Sequence, residues 1–200
     1  MAVICVLSVF NGFNDMVFSH VSLVSPPLTV EPSAGKVIDD ADSVAAAVKE
    51  VAGVSGAAPV IDEAALAVYR QYHLPVSIQG VPANYDCIVD YSQTIIDGAV
   101  TSERMSTLGA GLLSVGAANA DGFPEYDFVH LYVPRRKGRI NPAMPSTAFR
   151  EDSVTVSAVY QADDKDADMP RIVMSLAQAR QLLDYESEAS GRYRYSSRGG

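Results

Sequence analysis

Two hundred residues, with 15 Lys and Arg against 24 Asp and Glu, carry a net charge of −9; a chain of that length folds as one or two domains and buries about 70% of its unfolded surface. Apolar residues at 48% and charged residues at 20% exclude wholesale disorder. The longest apolar run, Met1 to Leu7, is far shorter than a membrane-spanning helix needs, and two cysteines, Cys5 and Cys87, are too few for a disulfide framework.

The chain opens on Met1 to Phe10, which lacks the positive start and the small-residue cleavage site of a signal peptide. It reads as a strand, and so does Met16 to Val24. Ser25 to Pro32 holds prolines at 26, 27 and 32 and must be extended. Val44, Ala47, Val48 and Val51 recur at helical spacing, with Asp42 or Ser43 as N-cap and Gly53 past the end, and predict a helix. Ile61, Ala65, Val68 and Tyr72 follow the same period. Asp62 and Glu63 at the start and His73 near the end suit the macrodipole, so a second helix is expected there, closed by Pro75. Val76 to Val81 is a strand candidate. So is Tyr85 to Tyr91, where Tyr85, Cys87, Val89 and Tyr91 share a face opposite Asp86 and Asp90.

A third helix is expected from Thr101 or Ser102, with Met105, Leu108, Leu112 and Val115 along one side. Gly109, Gly111 and Gly116 weaken it unless close packing needs them. Tyr126 to Val133 is apolar on both faces apart from Asp127 and His130, as a central strand is. Val154, Val156, Ala158 and Tyr160 alternate with Ser153, Thr155 and Ser157 in a half-buried strand, and Arg171 to Met174 is another. Ser175 and Gln178 form a capping box ahead of the stripe Leu176, Ala179 and Leu183. Turns are expected at Asn11-Gly12, Asp97-Gly98 and Asp121-Gly122. The fold class is α+β: a mixed, mainly antiparallel sheet with about four helices and extended N-proximal and C-terminal arms. Residues 1–186 form one domain, with the Pro-rich arm at 25–35 and a basic loop at 134–145, and 187–200 form the C-terminal arm.

Chemistry-bearing patterns are few. Arg135, Arg136, Lys137 and Arg139 put four cations in five residues at the end of a strand, a pattern that suits a phosphate, a carboxylate or an acidic neighbouring surface. In the tail, Arg192, Tyr193, Arg194, Tyr195 and Arg198 alternate cation and aromatic, which fits base stacking or a docking arm. Asp164, Asp166 and Asp168 match the first three ligand positions of a calcium loop, but Met169 stands where its glycine belongs and Ser175 where its closing glutamate belongs. Gly109 to Gly116 is not a dinucleotide fingerprint. His20, His73 and His130 are scattered without metal-ligand spacing, so no metal is expected. Cys87 reads as a buried structural thiol, and no serine-nucleophile elbow is present.

No catalytic residue or cofactor is assigned, and an enzyme is not expected. Nine of the 11 arginines lie in residues 131–200, leaving the first 130 residues strongly acidic. Opposed charge, two extended arms and no catalytic constellation together lead to the expectation of an acidic structural protein: a self-assembling, homo-oligomeric subunit of a viral coat or tail. It would reside in the cytoplasm or the virion and contact copies of itself, other particle proteins or nucleic acid, but no membrane. Two alternatives stand beside it: a cytoplasmic enzyme that clamps a small anion at Arg135–Arg139, and a nucleic-acid-binding accessory protein.

Overall fold

The computed structural model describes residues 28–32, 35, 37–89, 91–108, 110–114, 127–135, 148–161, 170–189 and 193–197. In chain order the elements are β1 (Leu28–Val30), α1 (Ala41–Lys49), β2 (Val54–Ala58), β3 (Ile61–Tyr69), β4 (Tyr72–Val81), β5 (Ile95–Gly98), α2 (Ser102–Leu108), β6 (Ala110–Ser114), β7 (Phe128–Pro134), β8 (Phe149–Tyr160), β9 (Arg171–Ser175), α3 (Leu176–Leu183) and β10 (Tyr193–Ser197), with short 3-10 turns at Tyr85–Cys87 and Tyr91–Gln93. The class is α+β, and the described residues hold three α-helices rather than about four.

Two sheets organise the described residues. The smaller has the order β1-β10-β2, antiparallel throughout. The larger has the order β5-β8-β6-β9-β4-β3-β7, and β7 pairs back onto β8. Thr155 of β8 is matched with Phe128 of β7 on one edge and Ala110 of β6 on the other, so six strands close a ring with β5 attached outside it. Most pairings are antiparallel; β4–β9 and β6–β8 are parallel.

Strand alternation sends one set of side chains to the inner face. Ile61, Ala65 and Ala67 of β3, Val76 and Ile78 of β4, Val129, Leu131 and Val133 of β7, Val154 and Val156 of β8, and Ile172 and Met174 of β9 form one buried cluster. Leu176, Ala179, Leu182 and Leu183 of α3 complete it, and Ala41 and Ala45 of α1 join it from the side of the smaller sheet. A second cluster lies on the outer face: α2 and the 3-10 turns lay Tyr85, Val89, Tyr91, Val100 and Met105 over Val81, Ala158, Tyr160 and Val173. There the Tyr91 hydroxyl donates to the buried Gln79 Oε1 at 3.0 Å, and the Tyr91 and Tyr160 rings meet edge to face at 5.8 Å.

Several expectations are met. β8 keeps its alternation as far as Ser157, beyond which Ala158 and Tyr160 join the outer cluster, and Ser175 Oγ accepts from the Gln178 amide at 3.2 Å to cap α3. α1 forms where a helix is expected but starts at Ala41, with Asp40 rather than Asp42 or Ser43 as its N-cap. The second half of the capping box is absent, because Gln178 Nε2 donates instead to Ser153 O of β8 at 2.8 Å.

Three expectations fail. Ile61 to Tyr72, expected as a helix, is β3 and its hairpin turn into β4, held by nine register pairs. Where Tyr85 to Tyr91 is expected as a strand, Tyr85–Cys87 is a 3-10 turn and Tyr91 opens another; Asp86 turns away to accept from the Ser102 amide and hydroxyl at 3.0 and 2.7 Å and so fixes the start of α2. The third helix stops at Leu108, and Ala110 to Ser114 is strand β6. Close packing does need Gly111, but between strands: a Cβ there would stand 2.7 Å from Val154 Cγ2 and 3.0 Å from Val173 O. The expected strands at Met1–Phe10 and Met16–Val24 lie outside the described residues, as do the turns at Asn11-Gly12 and Asp121-Gly122.

Candidate interaction surface

The second cluster covers only part of the outer face. Along β7, Phe128, His130, Tyr132 and Pro134 point outward. Their register partners on β8, Thr155, Ser153, Glu151 and Phe149, lie on the same face, and Leu66 and Val68 of β3 sit beside Tyr132 and His130. This face is open to solvent yet rich in aromatic and aliphatic groups: Phe128 is 59% exposed and Phe149 47%. At its centre Glu151 holds two neighbours, His130 Nδ1 at 3.2 Å from its Oε1 and the Tyr132 hydroxyl, which donates to its carboxylate. Partial burial, and then that hydrogen bond, raise the Tyr132 pKa. An exposed aromatic face with a few satisfied polar groups has the composition of a protein-contact surface.

Two polar groupings border it. Ser77 Oγ donates to Asp62 Oδ1 at 2.6 Å, and Arg171 Nη2 lies 3.7 Å from Asp62 Oδ2, a cluster shared by β3, β4 and β9. At the β3–β4 hairpin, the Tyr69 hydroxyl donates to Asp127 Oδ2 at 2.8 Å, and the Arg70 guanidinium sits 5.0 Å over the Tyr69 ring. The Phe128 amide, and then the Tyr69 hydroxyl, hold the Asp127 pKa below its usual value; the same hydroxyl bond is the main reason the Tyr69 pKa is raised. Among the described residues no group of three or more His, Cys, Asp or Glu side chains is placed to hold a metal ion.

Of the residues singled out in the sequence, only some are described. Arg135 follows β7; its amide donates to Ala148 O at 2.8 Å and its Nε to Phe149 O at 3.4 Å, so it ties down the start of β8. Arg136, Lys137 and Arg139 lie outside the described residues, as do Arg192, Arg198 and the acidic run Asp164 to Asp168. Tyr193, Arg194 and Tyr195 belong to β10, whose backbone pairs with β1 and β2 of its own chain. The expected arm across a neighbouring subunit is therefore, over 193–197, an internal strand. Likewise, Leu28–Val30 within the expected N-proximal arm is β1. Cys87 is exposed at a 3-10 turn rather than buried in a strand. The outer face itself was missed; its signal is that β3 is apolar on both sides, with Ala64, Leu66 and Val68 outward and Ala65 and Ala67 inward.

No protein-family model matches the chain, and no curated protein matches it. Solved structures do. The extracellular domain of the noncanonic ABC-type transporter YknZ from Gram-positive bacteria is similar, with a TM-score of 0.58 and 14% identity over 86% of this chain and 85% of that one. The periplasmic region of MacB from Actinobacillus actinomycetemcomitans is similar with a TM-score of 0.56 and 11% identity over 86% of this chain and 75% of that one. At these identities the likeness establishes a shared fold. It overturns the expectation of a self-assembling coat or tail subunit, along with the assigned cytoplasmic or virion location and the particle partners. The two alternatives, an anion-clamping enzyme and a nucleic-acid accessory, gain nothing from it. No helix among the described residues is long and apolar enough to cross a membrane.

Proposed function

We propose that this chain is a non-catalytic, extracytoplasmic domain of an ABC-type membrane transporter, offering contact surface to other components of that machine. The observation that carries the reading is the fold likeness, which takes in nearly the whole of this chain and of the YknZ extracellular domain. A second observation agrees with it. β1 and β10, the first and last described strands, are antiparallel neighbours with Leu28 opposite Tyr195, an arrangement that suits a domain held to one membrane from one side. The open aromatic face on β3, β7 and β8 is the surface such a domain presents.

Cys87 supplies the test. It is exposed at a turn, and Cys5 is the only other cysteine. In cells that make the natural protein with Cys5→Ser, a membrane-impermeant maleimide is expected to label Cys87 without lysis of the cytoplasmic membrane, and Cys87→Ser to abolish that label. Labelling that appears only after lysis would sink the proposal.

A further inference from the structure

Helix α3 is fastened to the body along one side. Ser175 caps it at the end of β9, Gln178 Nε2 donates to Ser153 O of β8 at 2.8 Å, and Ala179 packs directly over Gly80 of β4, where even one added carbon would stand 2.6 Å from its methyl. At its C-terminal end Arg150 of β8 donates to Gln181 O at 3.0 Å and to Asp184 Oδ1 at 2.8 Å.

Arg180 faces the other way. Its Nη1 lies 3.2 Å from Asp42 Oδ2 of α1. Its Nε donates to Glu188 O at 3.2 Å and its Nη2 to Ser187 O at 3.3 Å. Ser187 O also accepts from the Ala41 amide at 3.1 Å, and Ile38 and Ala189 exchange backbone bonds at 2.9 and 3.2 Å. One side chain, only 17% exposed, therefore binds the start of α1 and the strap that leads into β10. A guanidinium suits this position because its planar fork serves several oxygens at once, which an ammonium on a flexible stem does not.

We propose that Arg180 is a mechanical joint: it passes movement of the β1-β10-β2 sheet into α3, and through the Ala179–Gly80 contact into the seven-stranded sheet. Among the described residues a contact chain runs from the small sheet through β2 into α1, which packs against it, from the Ala41 amide to Ser187 O, from there to Arg180, and from Ala179 to Gly80. A close-packed contact transmits displacement because neither side has free volume to absorb it. The joint rests on this geometry alone; its use by a membrane machine rests on the function proposed above, where β1 and β10 would form the tethered end.

The test is amide hydrogen exchange on the full chain with a double-mutant design. Thr29→Pro loosens β1 at its pair with Arg194. In the wild-type background we expect it to speed exchange in α3 and at Gly80 and Val81 at least tenfold. With Arg180→Gln present, the same Thr29→Pro change is expected to alter those amides less than twofold, while still loosening β1 and β10. Arg180→Lys keeps the charge without the fork and is expected to behave like Arg180→Gln. Arg180→Lys also serves if Arg180→Gln does not fold, and Asp42→Asn, which leaves both strap carbonyls bound to Arg180, is the control expected to retain coupling. Equal acceleration of α3 in both backgrounds, or no acceleration in the wild type, would overturn the joint. Neither result depends on where the protein resides, so failure here is distinct from failure of the labelling experiment.

Discussion

Gly80→Ala is the sharpest probe of how α3 sits on the sheet. The added Cβ would lie 2.6 Å from Ala179 Cβ, 3.4 Å from Ile61 Cβ and 3.5 Å from Leu176 Cα. Carbon atoms rest at about 3.5–4.0 Å, so the helix must retreat by roughly 1 Å. It has nowhere easy to go, because Ser175, Gln178 and Arg150 hold it at three points, and the clashing methyl belongs to an alanine that has no rotamer to change. Overpacking of this kind costs about 1–3 kcal/mol. A clash with a methyl that cannot move belongs in the upper part of that range, about 2–3 kcal/mol. Relieving the entropy of a strand glycine returns about 0.5–1 kcal/mol, which leaves a net loss of about 1–2.5 kcal/mol. At about 2–4 °C per kcal/mol for a chain of this size, the melting temperature should fall by roughly 2–10 °C. Thermal unfolding of the chain measures that shift, and urea unfolding measures the free-energy loss, with an unchanged slope. The paired change Gly80→Ala with Ala179→Gly separates the clash from other causes. Ala179→Gly alone costs about 1 kcal/mol in helix propensity, yet the double variant should be more stable than the two single losses added together. Strict additivity, or a Gly80→Ala protein as stable as wild type, would refute the packing argument.

The remaining predictions concern the cap, the core and pH. Ser175→Ala removes the side-chain acceptor for the Gln178 amide and is expected to cost about 1 kcal/mol in urea unfolding. Leu131→Ala empties a fully buried position on β7 and is expected to cost about 2–5 kcal/mol, against which a loss below 1 kcal/mol would count. The folded pKa of Asp127 is depressed, so its contribution is present above the usual carboxylate range and is lost as pH falls through the depressed value. Asp127→Asn should therefore melt below wild type at neutral pH, with the gap closing in acid; a gap that widens in acid contradicts this. The Tyr132 pKa is raised, so its neutral phenol favours the folded state until pH climbs through the raised value. In a tyrosinate absorbance titration of the folded protein, Tyr132→Phe should remove one late-titrating tyrosine.

What was legible in the sequence depended on whether an element has two unlike faces. β8 shows its alternation because Val154 and Val156 face the core while Ser153 and Thr155 face water. α3 was found from its cap, a local signal that no tertiary contact has to supply. β3 was not found because both of its faces are apolar. With Ala64, Ala65, Leu66, Ala67 and Val68 in a row, the period of two disappears, and a helical period can be drawn through Ile61, Ala65, Val68 and Tyr72. Pairing with β4 on one edge and β7 on the other then overrides the helix propensity of those alanines. The feature that hid the strand is the same one that leaves an open apolar face beside Phe128 and Tyr132. Tyr85 to Tyr91 failed for a different reason: its alternation is genuine, but the aspartate side serves as a helix cap through Asp86, a bond to a residue 16 positions away that no local pattern announces.

The crowding of arginine toward the C-terminus drove the reading of function furthest from the fold, and the structure gives it another use. Charge asymmetry along a sequence says nothing by itself about asymmetry in space. Arg150 closes the end of α3 against Gln181 and Asp184, Arg171 faces Asp62 across β4, Arg180 reaches Asp42 and two strap carbonyls, and Arg135 ties β7 to the start of β8. Asp62 and Asp42 belong to the acidic N-terminal part of the chain, so two of these contacts carry the polarity of the sequence inward, joining the last third of the chain to the first. The other two use backbone oxygens or a late aspartate. An excess of cations at one end of a sequence is then as much a sign that distant segments must be fastened together as a sign of an anionic partner, and only partner distances tell the two apart.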